Sequence, residues 1–94
     1  MSEIKKFIET AEASVFIRGN ELKKRNIKIG DMRTSVTLEP QIWTILHDIS
    51  DEHECSIHEL CELINRRKNA SSSLASAIRV FLISYLHLQS KRGK

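Results

Sequence analysis

Few of the residues that build a large self-sufficient core are found in this chain. Its 94 residues include three Phe, one Trp and one Tyr, so no large aromatic core is on offer. A chain of this length forms one domain, and such small domains often complete their burial by oligomerising. Two cysteines, Cys55 and Cys61, are too few for a disulfide framework and read as reduced thiols of a cytoplasmic protein. The longest apolar run, Val80 to Ile83, is bounded by Arg79 and Ser84, far short of a membrane span. The first residues, broken by Glu3, Lys5 and Lys6, do not read as a secretory signal.

Charge of one sign is also missing from a whole stretch. From Pro40 through Asn65 there is no Lys or Arg, while Asp48, Asp51, Glu52, Glu54, Glu59 and Glu62 fall there. The cations stand before it (Lys23, Lys24, Arg25, Lys28, Arg33) and after it (Arg66, Arg67, Lys68, Lys91, Arg92, Lys94). The formal net charge is +3. This separation of signs suits an anionic partner meeting the basic side, nucleic acid above all, although solvated helix faces account for any one cluster.

What is present is a change of structural period. From Arg33 to Leu38 the pattern alternates, with Arg33, Ser35 and Thr37 to one side and Thr34, Val36 and Leu38 to the other, as in a strand. Pro40, the single proline, has no N–H for a ladder but suits the first turn of a helix. Ile42, Ile45, Leu46 and Ile49 then fall at helical spacing, and the helix is expected from Pro40 to about His53. Trp43 lies beside that apolar face, where a half-exposed indole serves an interface. Upstream, Ile4, Phe7, Ile8 and Ala11 predict a helix over 3–17 with an uncovered stripe, stopped by Gly19-Asn20. Ile27 to Ile29 with the turn signal Gly30-Asp31 reads as a short extra strand paired back on the main one, or as an extended arm.

Downstream, Ser56 with Glu59 makes a capping box for a second helix carrying Ile57, Leu60, Cys61 and Ile64. That helix ends in Arg66, Arg67 and Lys68, cations that suit its C-terminal dipole. Ser73 caps a last helix, Leu74 to about Leu88, apolar on most of its circumference through Leu74, Ile78, Phe81, Leu82, Tyr85, Val80, Ile83 and Leu86. Such a helix is buried in a core or between subunits. The tail 90–94 is expected to be disordered.

The close spacing of His53, Cys55, His58 and Cys61 is the pattern that would hold zinc. Cys61, however, lies on its helix's apolar stripe and is more simply a small core residue. No metal, cofactor or catalytic residue is expected, and no enzyme activity, because no glycine-rich segment or third orienting group accompanies a His/Cys pair.

The stretch from Arg33 to about Ile64 resembles the ribbon-helix-helix family of bacterial DNA-binding proteins, the Arc/MetJ superfamily. The matching features are the strand Arg33–Leu38, Glu39-Pro40, the helix with Ile42, Leu46 and Ile49, the Ser56 cap, and the helix with Leu60 and Ile64. Together with Ser73 to Phe81, the block is similar to a bacterial subgroup with an added C-terminal helix. The resemblance implies a mainly α fold with a short strand. Two chains would pair their strands into a two-stranded antiparallel ribbon and interlock as a dimer or higher homo-oligomer, with extra helices at both ends. Segments 1–24, 25–68 and 69–94 would then be an N-terminal helical extension, the ribbon-helix-helix core, and a C-terminal helix with a basic tail. It further implies that the ribbon enters the major groove of double-stranded DNA, with Arg33, Ser35 and Thr37 facing the bases. Ser56 and Ile57, at the N-terminus of the second helix, would meet a phosphate; Arg25 and Lys28, outside the resembling stretch, are expected to touch phosphates as cations. Two positions depart from the family pattern: Glu54 stands where glycine is common, and its charge opposes a nearby phosphate; Thr34 stands where an aliphatic residue is common. The function implied is a cytoplasmic transcriptional repressor, with no membrane partner. The alternative is an assembly module, such as an antitoxin, whose terminal helices bind a partner protein.

Overall fold

The computed structural model describes residues 2–13 and 21–92. In order these form helix α1 (Ser2–Ile8), strands β1 (Lys23–Ile29) and β2 (Met32–Leu38), and helices α2 (Pro40–Glu52), α3 (Ile57–Arg67) and α4 (Leu74–Arg92). The mainly helical fold with one antiparallel two-stranded ribbon is the one expected from the sequence. β1 pairs with β2 within the chain, from Lys23↔Leu38 to Ile29↔Met32, so that of the two readings of the 27–29 stretch the extra strand paired back on the main one is the one found.

Gly30-Asp31 makes this hairpin possible. Gly30 has φ +59°, and Asp31 is not among the positive-φ residues. A left-handed glycine followed by an ordinary residue is the II′ pattern, whose twist matches that of paired strands. The weak 27–29 signal thus belongs to a full seven-residue strand.

The core lies under one face of the hairpin. Ile27, Val36 and Leu38 join Trp43, Leu46, Ile49, Leu60, Cys61, Ile64, Ile78 and Leu82 in one buried cluster. α3 packs along β1 and α4 reaches β2. On α2 the buried residues are Trp43, Leu46, Ile49 and Ser50, so the stripe is rotated from the expected one, and Ile42 and Ile45 only flank it. Trp43 is therefore a core residue, 2% exposed, and not a half-exposed interface residue. Its burial is compatible with its N–H because Nε1 donates to the Lys23 carbonyl at 2.9 Å, which satisfies the one polar atom that indole burial must provide for.

Three further expectations change. The helix expected over 3–17 ends first at Ile8. Thr10 follows, its hydroxyl donating to the Phe7 carbonyl and accepting the Ala13 N–H, a local competition that breaks helices; residues 14–17 lie outside the described ones. Ile4, Phe7 and Ile8 stay exposed. α4 runs on through Ser90 and Lys91 to Arg92, so this part of the tail is helical, its two final cations favourable with the dipole. Phe81 is half-buried, while Ile78 and Leu82 are the α4 side chains sealed in the core. Among the described residues no helix is long and apolar enough to cross a membrane.

Candidate nucleic-acid interface

Alternation along two paired strands makes the site. With Ile27, Val36 and Leu38 turned to the core, the residues between them face outward. The register sets Lys24 opposite Thr37, Asn26 opposite Ser35, and Lys28 opposite Arg33. All six are exposed. Their common orientation is marked by Ser35 Oγ, which donates to Asn26 Oδ1 across the strands at 3.1 Å. The face thus carries three cations, two hydroxyls and an amide, with no carboxylate. Arg33, Ser35 and Thr37, the expected base-reading residues, are brought together here, and Lys28 joins them. Lys24 and Asn26 were missed because β1 was read as a short segment; with β1 extended to Lys23, alternation alone finds them.

Arg25 is not on this face. It pairs with Val36, and its guanidinium lies 5.6 Å from the centroid of the Trp43 ring, a cation–π distance. It closes the rim of the core and leaves its charge beside the hairpin rather than on it.

The turn between α2 and α3 brings a second group of polar atoms to the same end of the molecule. Glu54 N–H donates to the Asp51 carbonyl and Cys55 N–H to the Ser50 carbonyl. That pair of bonds is a Schellman motif, which needs a left-handed residue at the position Glu54 occupies. Glu54 has φ 54°, so the family's usual glycine has a backbone reason and this chain meets it with strain. Next, Ser56 Oγ accepts from Glu59 N–H while Glu59 Oε1 accepts from Ser56 N–H, at 3.0 and 2.9 Å. The capping box is as expected. These bonds hold the Glu59 carboxyl below the usual carboxylate range. Because Ser56 N–H is thereby occupied, the first-turn donors left without an intrahelical partner are those of Ile57 and His58.

His58 ties this helix start to the ribbon: its Nδ1 accepts the Lys28 backbone N–H at 3.0 Å. His53 is engaged elsewhere, its Nε2 lying 2.8 Å from Tyr85 Oη. Cys61 is fully buried, and desolvation pushes its thiol up to about 11. Among the described residues no three His, Cys, Asp or Glu side chains gather as metal ligands.

Comparison with known proteins agrees with this geometry. A model described as a ribbon-helix-helix domain matches residues 22–86. Among solved structures, an uncharacterized protein from Bordetella pertussis Tohama I is similar, with a TM-score of 0.66 and 26% identity, covering 88% of this chain and 73% of that one. No protein of curated function matches.

Proposed function

Since this chain belongs to the ribbon-helix-helix family, whose members generally bind DNA as dimers, we propose that it is a sequence-specific, dimeric DNA-binding regulator, acting in the cytoplasm as a repressor by occupying its operator. The polar face of the hairpin supports this reading best: Lys24, Asn26, Lys28, Arg33, Ser35 and Thr37 are all exposed and none is acidic. A two-stranded ribbon fits the major groove, and its hydroxyls, amide and guanidinium are the donors and acceptors that read base edges there. On β2, Arg33 is the residue that can fork two donors onto guanine, while Ser35 and Thr37 tune the preference. Lys28 and the free N–H groups at Ile57 and His58 suit phosphates.

The test is fluorescence anisotropy against specific and random duplexes, the specific one first selected from a random pool. The salt concentration is varied, and sedimentation is run on the same sample. Affinity should fall steeply with salt, and the protein should sediment as a dimer or larger. DNA affinity that is absent or independent of salt would sink the reading.

One observation favours a second reading. Leu63, Val80 and Ile83 are 54, 63 and 69% exposed, and an apolar groove of about 640 Å³ runs between α3 and α4 past Leu63, Val80 and Phe81. Exposed apolar surface of this kind marks protein contacts, as an assembly module or antitoxin would need. A complex that forms equally well at high salt and is lost in Val80→Asp would favour it.

A further inference from the structure

The groove between α3 and α4 changes character along its length. Away from the turn that joins the two helices it is lined by Leu60, Leu63, Ile64, Val80 and Phe81; at the turn it is lined by Arg67, Lys68, Asn69 and Ser76. No acidic residue lines it. Leu60 and Ile64 are buried beneath it, while Leu63 and Val80 stand out in solvent on either side.

The cations at the turn are free to meet an anion. Arg66 pairs with Glu62 at 3.2 Å, in a separate hollow beyond Leu63. Among the described residues neither Arg67 nor Lys68 has a carboxylate partner. The C-terminus of α3 and the N-terminus of α4 meet at this turn, so their opposite partial charges offset each other. The local field is therefore that of Arg67 and Lys68. Ser76 Oγ accepts from Ser73 Oγ at 3.0 Å, which leaves its own proton to donate.

We propose that this groove binds an amphipathic carboxylate, with an alkyl tail along Leu60, Leu63 and Val80 and its head against Arg67, Lys68 and Ser76. From Leu60 to Arg67 α3 rises about 10 Å, at 1.5 Å per residue, which suits an octyl to decyl tail. The volume of about 640 Å³ is that of a small-molecule site, and such sites are mostly apolar with a few polar groups that fix orientation. A protein surface would fit the apolar part equally well. The confinement of charge to one end is what favours a small amphiphile, whose own charge is at one end. This site is independent of the DNA-binding reading, and it competes with the protein-contact reading for the same surface.

Decanoate is the probe, added to the whole chain below the concentration at which it self-associates and followed by amide chemical shifts in NMR. The shifts should saturate and centre on Leu63, Arg67, Lys68 and Val80. Affinity should rise from hexanoate through octanoate to decanoate, by up to about four-fold per methylene. Decanol keeps the tail without the charge, and decyltrimethylammonium reverses the charge; both should bind more weakly. Arg67→Gln combined with Lys68→Gln should weaken decanoate by up to about five-fold for each cation and leave decanol unchanged. Val80→Asp, at an exposed position, should abolish decanoate binding with the melting temperature unchanged; if it unfolds the protein, the double glutamine variant decides. Shifts that are absent or lie elsewhere, equal binding of the three head groups, or decanoate affinity unchanged in the double variant would overturn the proposal. So would a parent that sediments as a larger species than folded Val80→Asp, because another copy would then cover the groove. None of these outcomes touches the DNA-binding reading, which is tested by the salt dependence of DNA affinity.

Discussion

On one face of the hairpin Ile27, Val36 and Leu38 are 1, 3 and 0% exposed. On the other, one residue away along the same strands, Lys24, Asn26, Lys28, Arg33, Ser35 and Thr37 all stand in solvent. The strand period of two makes this separation possible, and it makes a slip of one residue intolerable, because every core side chain would change places with a polar one. The backbone is shared, but the two sets of side chains act independently. Changes on the buried face should reach DNA only through unfolding, and changes on the exposed face should reach it with the fold intact.

The largest effect should come from the buried face. Leu38→Ala removes a fully buried side chain and should cost about 2–5 kcal/mol, a large share of what so small a protein has. Urea denaturation reads the loss, and the fraction still folded should bind DNA like the parent. Phe81→Ala should cost less than the roughly 3–5 kcal/mol of a fully buried phenylalanine, since its side chain is only partly buried against the core. A Leu38→Ala protein as stable as the parent would break the distinction between the faces.

Arg33→Ala should act on the other side of the comparison. It should cost about 1–3 kcal/mol on the preferred sequence and relax discrimination there, with the melting temperature unchanged. Paired measurements of Tm and of affinity for specific and random duplexes, at one salt concentration, separate the two quantities. If Arg33→Ala and Thr37→Ala both bind like the parent while folded, the polar face is not the reading surface.

Much of this was legible in the sequence wherever a local rule had no competitor. The alternation from Arg33 to Leu38, the proline start of α2 and the Ser56–Glu59 box are short-range features, and each lies where it was expected. The resemblance rests on the same residues. What was not legible depended on tertiary partners. The burial of Trp43 required a carbonyl, that of Lys23, from another element. The full length of β1 required β2, because Lys23, Lys24 and Arg25 alone do not read as a strand. The position of Arg25 followed from that register. His58 as an acceptor for the Lys28 N–H had no signal in the sequence, because 30 residues separate the two.

The turn at Glu54 lets a sequence departure be tested as backbone strain. An L-residue held in the left-handed region costs about 1–2 kcal/mol, partly offset by the extra freedom glycine gives the unfolded chain. Glu54→Gly should thus stabilise the protein by up to about 1 kcal/mol in urea denaturation. It also removes a carboxylate beside the start of α3, so DNA affinity should rise as well. A loss of stability would show that the Glu54 side chain makes a compensating contact.

The smallest effect should come from Arg79, which fastens α4 to the start of α2. Its Nε and Nη2 both donate to Glu39 Oε1, at 3.1 and 3.0 Å. A backbone N–H and this guanidinium hold the Glu39 carboxyl below the usual carboxylate range. Both side chains are 36% exposed, so solvent screens the pair, and Arg79→Ala should cost no more than about 1 kcal/mol at neutral pH. Because the folded-state carboxyl is depressed, the stabilisation is complete above the unfolded carboxylate range and disappears as pH falls through the folded value. Stability differences between parent and Arg79→Ala, measured in urea at pH 7 and again in acid below that range, should therefore shrink on acidification. Glu39→Gln should show the complementary behaviour, with the cost of Arg79→Ala in that background small at both pH values. A cost that stays the same from neutral pH into acid would mean that Arg79 holds α4 through the packing of its alkyl chain and not through its charge.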